Sequence, residues 1–374
     1  MSKIKVLHLV KSLGRGGAEM LLQETLKVHN QDQFEFHYIY FLPWKNQMVE
    51  GIQQVGGKVL NFSASNNLVI ILQIPKIIKY IRANKIDLLH CHLPWAGIAG
   101  RIIHKFIGIP TVYTEHNLQE RYHFITGNIN KITFNWQTQV ISVSAEVAAS
   151  IQKQISPKIP VATIMNGVNT EHFKRNELFR ANKRKELGIG ADEILIGNIA
   201  VFRFQKRLKE WIDIFKDISN EYPKVKACIV GDGILKEEIM THLKTSGMEG
   251  RIIFPGLQTE VIPWLSAMDI FMMTSSYEGL PIALLEAMSL ECAIVTTAAG
   301  GINELIRDGK DGFIKPVNDW TALKEPLKLL IEQPQLISKF GTHARKRVQE
   351  SFSIKSMVDQ IEKIYLDTFK LKTK

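Results

Sequence analysis

The 374-residue sequence predicts an α/β protein of two doubly wound domains, each a parallel sheet with helices on both faces. Three observations carry this expectation. Short apolar runs alternate with stretches of helical periodicity along nearly the whole chain. The alternation is broken by the charged, weakly periodic stretch Glu171 to Glu186, which reads as a linker. A composition of 45% hydrophobic and 22% charged residues suits a globular chain of this length with two or three cores. No run of about eighteen apolar residues is present to cross a membrane.

The elements follow in order. Met1-Ser2-Lys3-Ile4-Lys5-Val6-Leu7-His8-Leu9-Val10 lacks the apolar core and cleavage site of a signal peptide and reads as a first strand, 4–10. Further strands are expected at 36–41, 58–62, 87–91, 110–114, 139–143 and 161–165, with helices including 17–29, 68–83, 97–107 and 144–154. The second half repeats the pattern with strands near 193–200, 225–230, 251–254, 268–273, 293–297 and 312–314. Ile354 to Phe369 has apolar residues at helical spacing. Cys91, Cys228 and Cys292 lie far apart in or beside strand-like runs and read as reduced structural thiols.

Ligands of open parallel sheets bind beyond the carboxyl ends of the strands, so the loops there are the candidates. After the first strand, Gly16 and Gly17 open a helix and their amides can face a phosphate. The spaced three-glycine dinucleotide fingerprint and its acidic partner are missing, which disfavours a nicotinamide dehydrogenase. His90-Cys91-His92 ends a strand, and alternation points both imidazoles to one face. No third ligand is apparent beside them, and no metal site is assigned. Pro94 and Trp95 follow. His116 stands at the end of the next strand, and Asn166-Gly167 marks a tight turn. In the second half, Arg203 and Lys206 follow a strand, where a nucleotide diphosphate would need cations.

The most informative stretch is Ser275-Ser276-Tyr277-Glu278-Gly279-Leu280-Pro281, running into Ile282-Ala283-Leu284-Leu285-Glu286-Ala287-Met288. The apolar run Asp269 to Met273 precedes it as a buried strand. Pro281 suits a first helical position, and Gly279 admits a ligand close to the backbone. Free amides at the helix start, with the helix dipole, make an anion site. Glu278 stands before the helix and Glu286 about two turns inside it. Phosphate-binding amides between two hydroxyl acceptors suit a sugar nucleotide.

This run resembles the Glu-x7-Glu motif of retaining glycosyltransferases. With Gly300-Gly301-Ile302-Asn303-Glu304 it is similar to family four (glycosyl transferases group 1), whose members have the GT-B fold. The resemblance implies two Rossmann-like domains facing a central cleft: 1–170 binding the acceptor, 171–353 binding the nucleotide-sugar donor, and a helix at 354–374 crossing back to the first domain. It implies retention of anomeric configuration, with domain closure over the donor. His116 would contact the donor sugar, as a dipole at the reaction centre beside Glu278. Gly16, Gly17, Arg203, Lys206, Gly279 and Leu280 would face the donor phosphates, Leu257 would lie near the base, and Glu286 would hold the ribose. His92 and Trp95 would lie on the acceptor side. The family commonly has Asp where Asn117 stands, and often Gly and Pro where Glu291 and Ala293 stand.

The expected reaction moves a sugar from a nucleotide diphosphate, a UDP-sugar in most of the family with GDP-mannose open, to a glycan or lipid-linked hydroxyl in cell-surface polysaccharide synthesis. No cofactor is expected; fixed cations would take the place of a metal. The chain carries a net charge of +10, and residues 1–165 hold 17 Lys and Arg against 9 Asp and Glu, a net of +8. That bias suggests either an acidic partner such as an anionic membrane surface, with a cytoplasmic place at the inner face of the plasma membrane, or charge that serves general solubility. No nucleic-acid motif accompanies it. The helix at 68–83 could lie on that surface through Lys76, Lys79 and Arg82, or pack on its own sheet with these charges in water. Rival readings are a nucleotide-sugar epimerase or phosphorylase on the same fold, and a non-catalytic nucleotide-sugar-binding subunit.

Overall fold

A computed structural model describes residues 3–372. The described residues fall into two units, one made of the chain up to Asn166 together with the chain from Ile354, the other of Gly167–Ser353. Residues 1, 2, 373 and 374, which the expected domain ranges include, lie outside the described residues.

The first unit is built on seven strands: β1 (Ile4–Val10), β2 (Phe34–Tyr40), β3 (Lys58–Asn61), β4 (Leu88–His92), β5 (Thr111–Glu115), β6 (Gln139–Ser142) and β7 (Val161–Thr163). They form one sheet in the order β3-β2-β1-β4-β5-β6-β7, with every pair parallel. Strands covered on both faces are usually apolar along their length, but β4 and β5 are buried at every position while carrying His90, His92, Thr111, Thr114 and Glu115, whose polar atoms must then find partners inside the fold. The helix Ile354–Lys372 packs within this unit. Its Glu362 accepts from the backbone N–H of Asn30 at 2.7 Å and pairs with His29 Nδ1 at 2.9 Å.

The second unit carries β8 (Ile194–Ile199), β9 (Val225–Val230), β10 (Ile252–Ile253), β11 (Ile270–Met273), β12 (Ala293–Thr297) and β13 (Phe313–Lys315), in the parallel order β10-β9-β8-β11-β12-β13. Ile270, Phe271, Met272 and Met273 are all buried, each such side chain contributing about 1.5–3 kcal/mol of transfer free energy. The Met272 carbonyl accepts from Trp211 Nε1 at 2.9 Å and Asn198 Nδ2 at 2.6 Å, so two buried donors anchor the strand that leads to Glu278.

Several expectations need correction. The helix expected at 68–83 is two helices, Asn67–Leu72 and Ile74–Asn84. Asn66 caps the first, accepting from the amides of Leu68 and Val69, and Pro75 occupies the first turn of the second. Ile70, Ile74, Ile77 and Ile81 are buried while Lys76, Lys79 and Arg82 are exposed, so these helices pack on their own unit. The expected linker Glu171–Glu186 contains a helix, Glu177–Glu186, fixed within the second unit. Its Arg180 and Arg184 pair with Asp269 at 2.5 and 2.9 Å. Its charged composition reflects guanidinium groups capping the base of a sheet. The boundary of the units falls after Asn166 instead of after residue 170.

Candidate active site

In each sheet the strand order reverses at an interior pair, β1/β4 in the first and β8/β11 in the second. Connections leave such a pair in opposite directions, opening a crevice at the carboxyl ends where ligands of this architecture bind. Gly16, Gly17, His92, Trp95, Arg203, Lys206, Gly279 and Leu280 end or follow the strands of those pairs, whereas His116 follows β5 and Leu257 follows the edge strand β10.

In the second unit the loop after β8 meets the loop after β11. Lys206 Nζ lies 2.5 Å from Glu278 Oε1, which also accepts from Ser275 Oγ at 2.7 Å. The short spacing of Arg203 and Lys206 is one 3₁₀ turn, closed by the Lys206 amide on the Arg203 carbonyl at 3.0 Å. Thr274 Oγ1 lies within hydrogen-bond range of the Lys206 and Arg207 carbonyls, at 3.0 and 2.9 Å, and the Ser276 amide donates to Gln205 O at 2.8 Å. These contacts tie the cation loop to the acid loop. Arg203 is exposed, and Leu257 is exposed in the loop after β10.

The loop after β12 supports the acid loop from the other side. The Gly301 amide donates to the Gly279 carbonyl at 3.0 Å. Gly300 has φ +64°, and a Cβ there would lie 1.9 Å from the Glu278 carbonyl oxygen. Only glycine allows this approach. Gly279 and Leu280 are buried at the entry to the helix Ile282–Ser289. Pro281 is the residue before that helix, with φ −73° and ψ 118°, and not its first helical position. Glu286 is therefore the fifth helical residue, a little over one turn in, and is buried at 5% exposure.

In the first unit, Gly16 precedes and Gly17 begins the helix Gly17–Val28 after β1. Ser12 Oγ donates to Glu19 Oε1 at 3.0 Å, bracing this turn. Trp95, half-buried, lies in the first turn of the helix Pro94–Ile107, which starts earlier than the expected 97. Between β4 and that helix Leu93 adopts φ 68°, ψ 156°, a conformation natural to glycine.

The strand-end histidines are joined. His90 and His92 share a face, their ring centroids 4.2 Å apart. Contrary to the expectation that no third ligand accompanies them, parallel pairing sets His8 of β1 opposite His90 of β4. A ligand nitrogen from each of the three lies within 4.8 Å of the others. His90, however, has both nitrogens engaged, Nδ1 with Tyr365 Oη at 2.5 Å and Nε2 with Thr114 Oγ1 at 2.7 Å, leaving none for a metal in this arrangement. His8 Nδ1 meets His92 Nε2 at 3.0 Å, and His92 Nδ1 faces His116 Nε2 at 3.4 Å. Burial is the main cause that lowers their pKa values: His8 and His92 fall well below the ordinary range, His90 to about 3 and His116 to about 4.

Two supporting residues escaped the sequence reading. Glu115, fully buried, accepts from the amides of His116 and Asn117 at 3.0 and 3.3 Å and from the Tyr113 hydroxyl at 3.1 Å; Tyr122 and Gln119 also bond it. Burial pushes its carboxyl up, and these hydrogen bonds pull it back. Glu115 thereby fixes the backbone that carries His116. Ser275 does the same for the Glu278 carboxylate. A buried carboxylate next to a strand-end histidine was a usable signal for the first; the second was hidden in a run of small residues.

Two family profiles match the chain: Glycosyltransferase Family 4 over residues 15–172 and Glycosyl transferases group 1 over residues 179–347. Among curated proteins, the chain is 28% identical to N-acetyl-alpha-D-glucosaminyl L-malate synthase of Bacillus anthracis, over 79% of this chain and 78% of that one. It is 24% identical to UDP-Gal:alpha-D-GlcNAc-diphosphoundecaprenol alpha-1,3-galactosyltransferase of Escherichia coli, over 98% and 97%. Among solved structures it is similar to Anabaena HepE in complex with UDP and glucose, with TM-score 0.86 and 21% identity over 97% of this chain and all of that one.

Proposed function

The chain belongs to the group 1, family 4 glycosyltransferases and has their GT-B fold, and from that premise we propose that it moves a sugar from a UDP-sugar to a hydroxyl of a glycan or lipid-linked acceptor in polysaccharide synthesis, with retention. The observation that carries the reading is the meeting of Lys206 and Glu278 at the reversal point of the second sheet, next to the Gly279 and Leu280 amides. A diphosphate needs fixed positive charge where its leaving oxygen develops charge. Lys206 supplies it, with Arg203 at the rim and the Gly279 and Leu280 amides at the helix entry; the reading includes no metal or other cofactor. Glu278 takes the sugar hydroxyls, Glu286 the ribose, and Leu257 lies toward the base.

On the first unit, Gly16 and Gly17 present amides to phosphate and His116 is assigned to the reacting sugar. Trp95, and His92 behind His116, belong to the acceptor side. The UDP and glucose of the HepE complex and the diphosphoundecaprenol named for the Escherichia coli relative support the choice of donor and acceptor class.

A thermal-shift panel of UDP-glucose, UDP-galactose, UDP-N-acetylglucosamine and GDP-mannose tests the donor, since a ligand of the native state raises its apparent stability. A UDP-sugar is expected to raise Tm, with Lys206→Ala and Glu286→Ala abolishing the shift at an unchanged unliganded melt. No shift with any of the four sinks the reading. Product analysis tests the reaction: a donor altered without acceptor indicates an epimerase, and an inverted anomeric centre removes retention. No turnover by the purified chain favours a binding subunit.

No described helix is long and apolar enough to cross a membrane. Attachment to the inner face of an anionic membrane is proposed from the basic bias of residues 1–165 and from the exposed Leu68 and Leu72 of the helix Asn67–Leu72, close in the chain to Lys76 and Lys79. Absence of flotation with anionic liposomes at moderate ionic strength would end that part of the proposal.

A further inference from the structure

His8, His92 and His116 form an unbranched chain of imidazoles, with nitrogen contacts of 3.0 and 3.4 Å. His90 does not branch it, because both its nitrogens are engaged by Tyr365 and Thr114. With pKa values lowered by burial, the three rings are neutral at pH 7. A neutral imidazole carries one N–H and one lone pair. Each contact needs one proton, so the direction of one contact dictates the other. If His92 donates from Nδ1 to His116, its Nε2 must accept from His8.

Two arrangements satisfy both contacts. In the first, every ring is protonated on Nδ1; His116 then points an N–H away from the chain and His8 Nε2 is a bare lone pair. In the second, every ring is protonated on Nε2; His116 then offers a lone pair and His8 Nε2 carries the N–H. Among the described residues, His8 Nε2 is buried without a hydrogen-bond partner. Among main-chain groups, orphaned buried N–H donors are rarer than under-satisfied acceptors, and we carry that asymmetry over to the ring nitrogen. His116 sits at the partly exposed end, where an outward N–H can find an oxygen.

We propose that His8 and His92 are positioning residues that hold His116 in its Nδ1–H tautomer, so that the carboxyl edge of the first sheet presents a hydrogen-bond donor to a carbohydrate oxygen. The consequence for catalysis rests on the assignment of His116 to the reacting sugar; the tautomer does not. Glu115 complements the arrangement by fixing the His116 backbone while the imidazole chain fixes its ring.

Long-range ¹⁵N–¹H correlation spectra of the unliganded full chain, labelled with ¹⁵N-histidine, decide the matter at pH 7.5, with His116 assigned from its loss in His116→Gln. Wild type is expected to show His116 protonated on Nδ1 alone. His92→Phe cuts the chain and is expected to give a mixture of tautomers at His116; His92→Leu makes the same cut with less bulk if the first variant fails to fold. His92→Asn, whose amide N–H falls near the place of Nδ1, is expected to restore the wild-type pattern. A His116 protonated on Nε2 in wild type overturns the direction, and an unchanged His116 in a folded cut variant overturns the control. In sugar transfer, the cut is expected to lower kcat about tenfold, the scale of one hydrogen bond, with donor KM little changed. A shifted tautomer with unchanged kcat supports the chain and refutes the role of His116 in transfer.

Discussion

The carboxyl edges of the two sheets share a topology and differ in electrostatics. At the β1/β4 reversal His8, His90 and His92 are buried and neutral, each bonded to another polar ring or hydroxyl, and His92 leads on to the half-buried His116 after β5. At the β8/β11 reversal they are a lysine and a glutamate whose side chains keep 17% and 11% exposure. An ion pair needs such residual solvent, because full desolvation of both charges exceeds their attraction unless further hydrogen bonds compensate. A neutral imidazole has no charge to desolvate and can go deeper, leaving at most a bare lone pair as at His8 Nε2. The same scaffold thus makes one edge that carries a partly solvated ion pair and another that carries neutral imidazoles, the features the proposed reaction would use for a diphosphate and a sugar.

The largest test of this contrast concerns the backbone under Glu278. Gly300→Ala adds a Cβ 1.9 Å from a main-chain oxygen at φ +64°, and is expected to destabilise the second unit by about 3 kcal/mol or more and to abolish the donor-induced Tm shift. Gly309→Ala has the same left-handed strain, φ +67°, with nothing within 4 Å, and should cost only about 1–2 kcal/mol in the same urea titration. Equal effects would show that the contact with Glu278 is unimportant.

The next test is pH. The folded pKa values of His8, His90, His92 and His116 lie below the unfolded value, so the unfolded chain binds more protons as the medium is acidified. Stability of the first unit is full above about pH 6.5 and falls below it, by roughly 1.4 kcal/mol per pH unit for each histidine until its folded pKa is reached. His90 and His116 continue to contribute down to about 3 and 4. Glu115, its pKa raised by burial, works against this trend. Hydrogen exchange corrected for intrinsic rates, measured at pH 7 and pH 5, should show protection lost in β4 and β5 before β11 and β12. Equal loss in both sheets would break the comparison. The smallest effect is expected of Ser275→Ala, which removes one hydrogen bond from Glu278 and should weaken donor binding by about 1 kcal/mol, a fewfold rise in Kd by calorimetry, with no change in the unliganded melt.

Much of this was legible in the sequence. Among the described residues, all thirteen strands stand at or within a few residues of the runs that predicted them, because strands of a covered parallel sheet are mostly apolar. The run from Glu278 to Glu286 and the nearby Gly300 show the family in residue types alone. Other features were hidden by mixed signals. Arg180 and Arg184 made a helix look like a linker, since their partner Asp269 lies far along the chain. Asn66 and Pro75 split one periodic stretch in two through a cap and a missing N–H, which apolar periodicity does not register.

The sequence by itself determined the two parallel sheets, the loops that could hold a ligand and the family, because periodicity, turn residues and a dense local motif are properties of neighbouring positions. Tertiary structure alone decided that Lys206 meets Glu278, that Gly300 lies against the Glu278 backbone, and that His8 joins His92 and His116. Those contacts depend on the pairing and register of strands dozens of residues apart, which main-chain hydrogen bonds and packing of the whole sheet settle, and which no local pattern encodes.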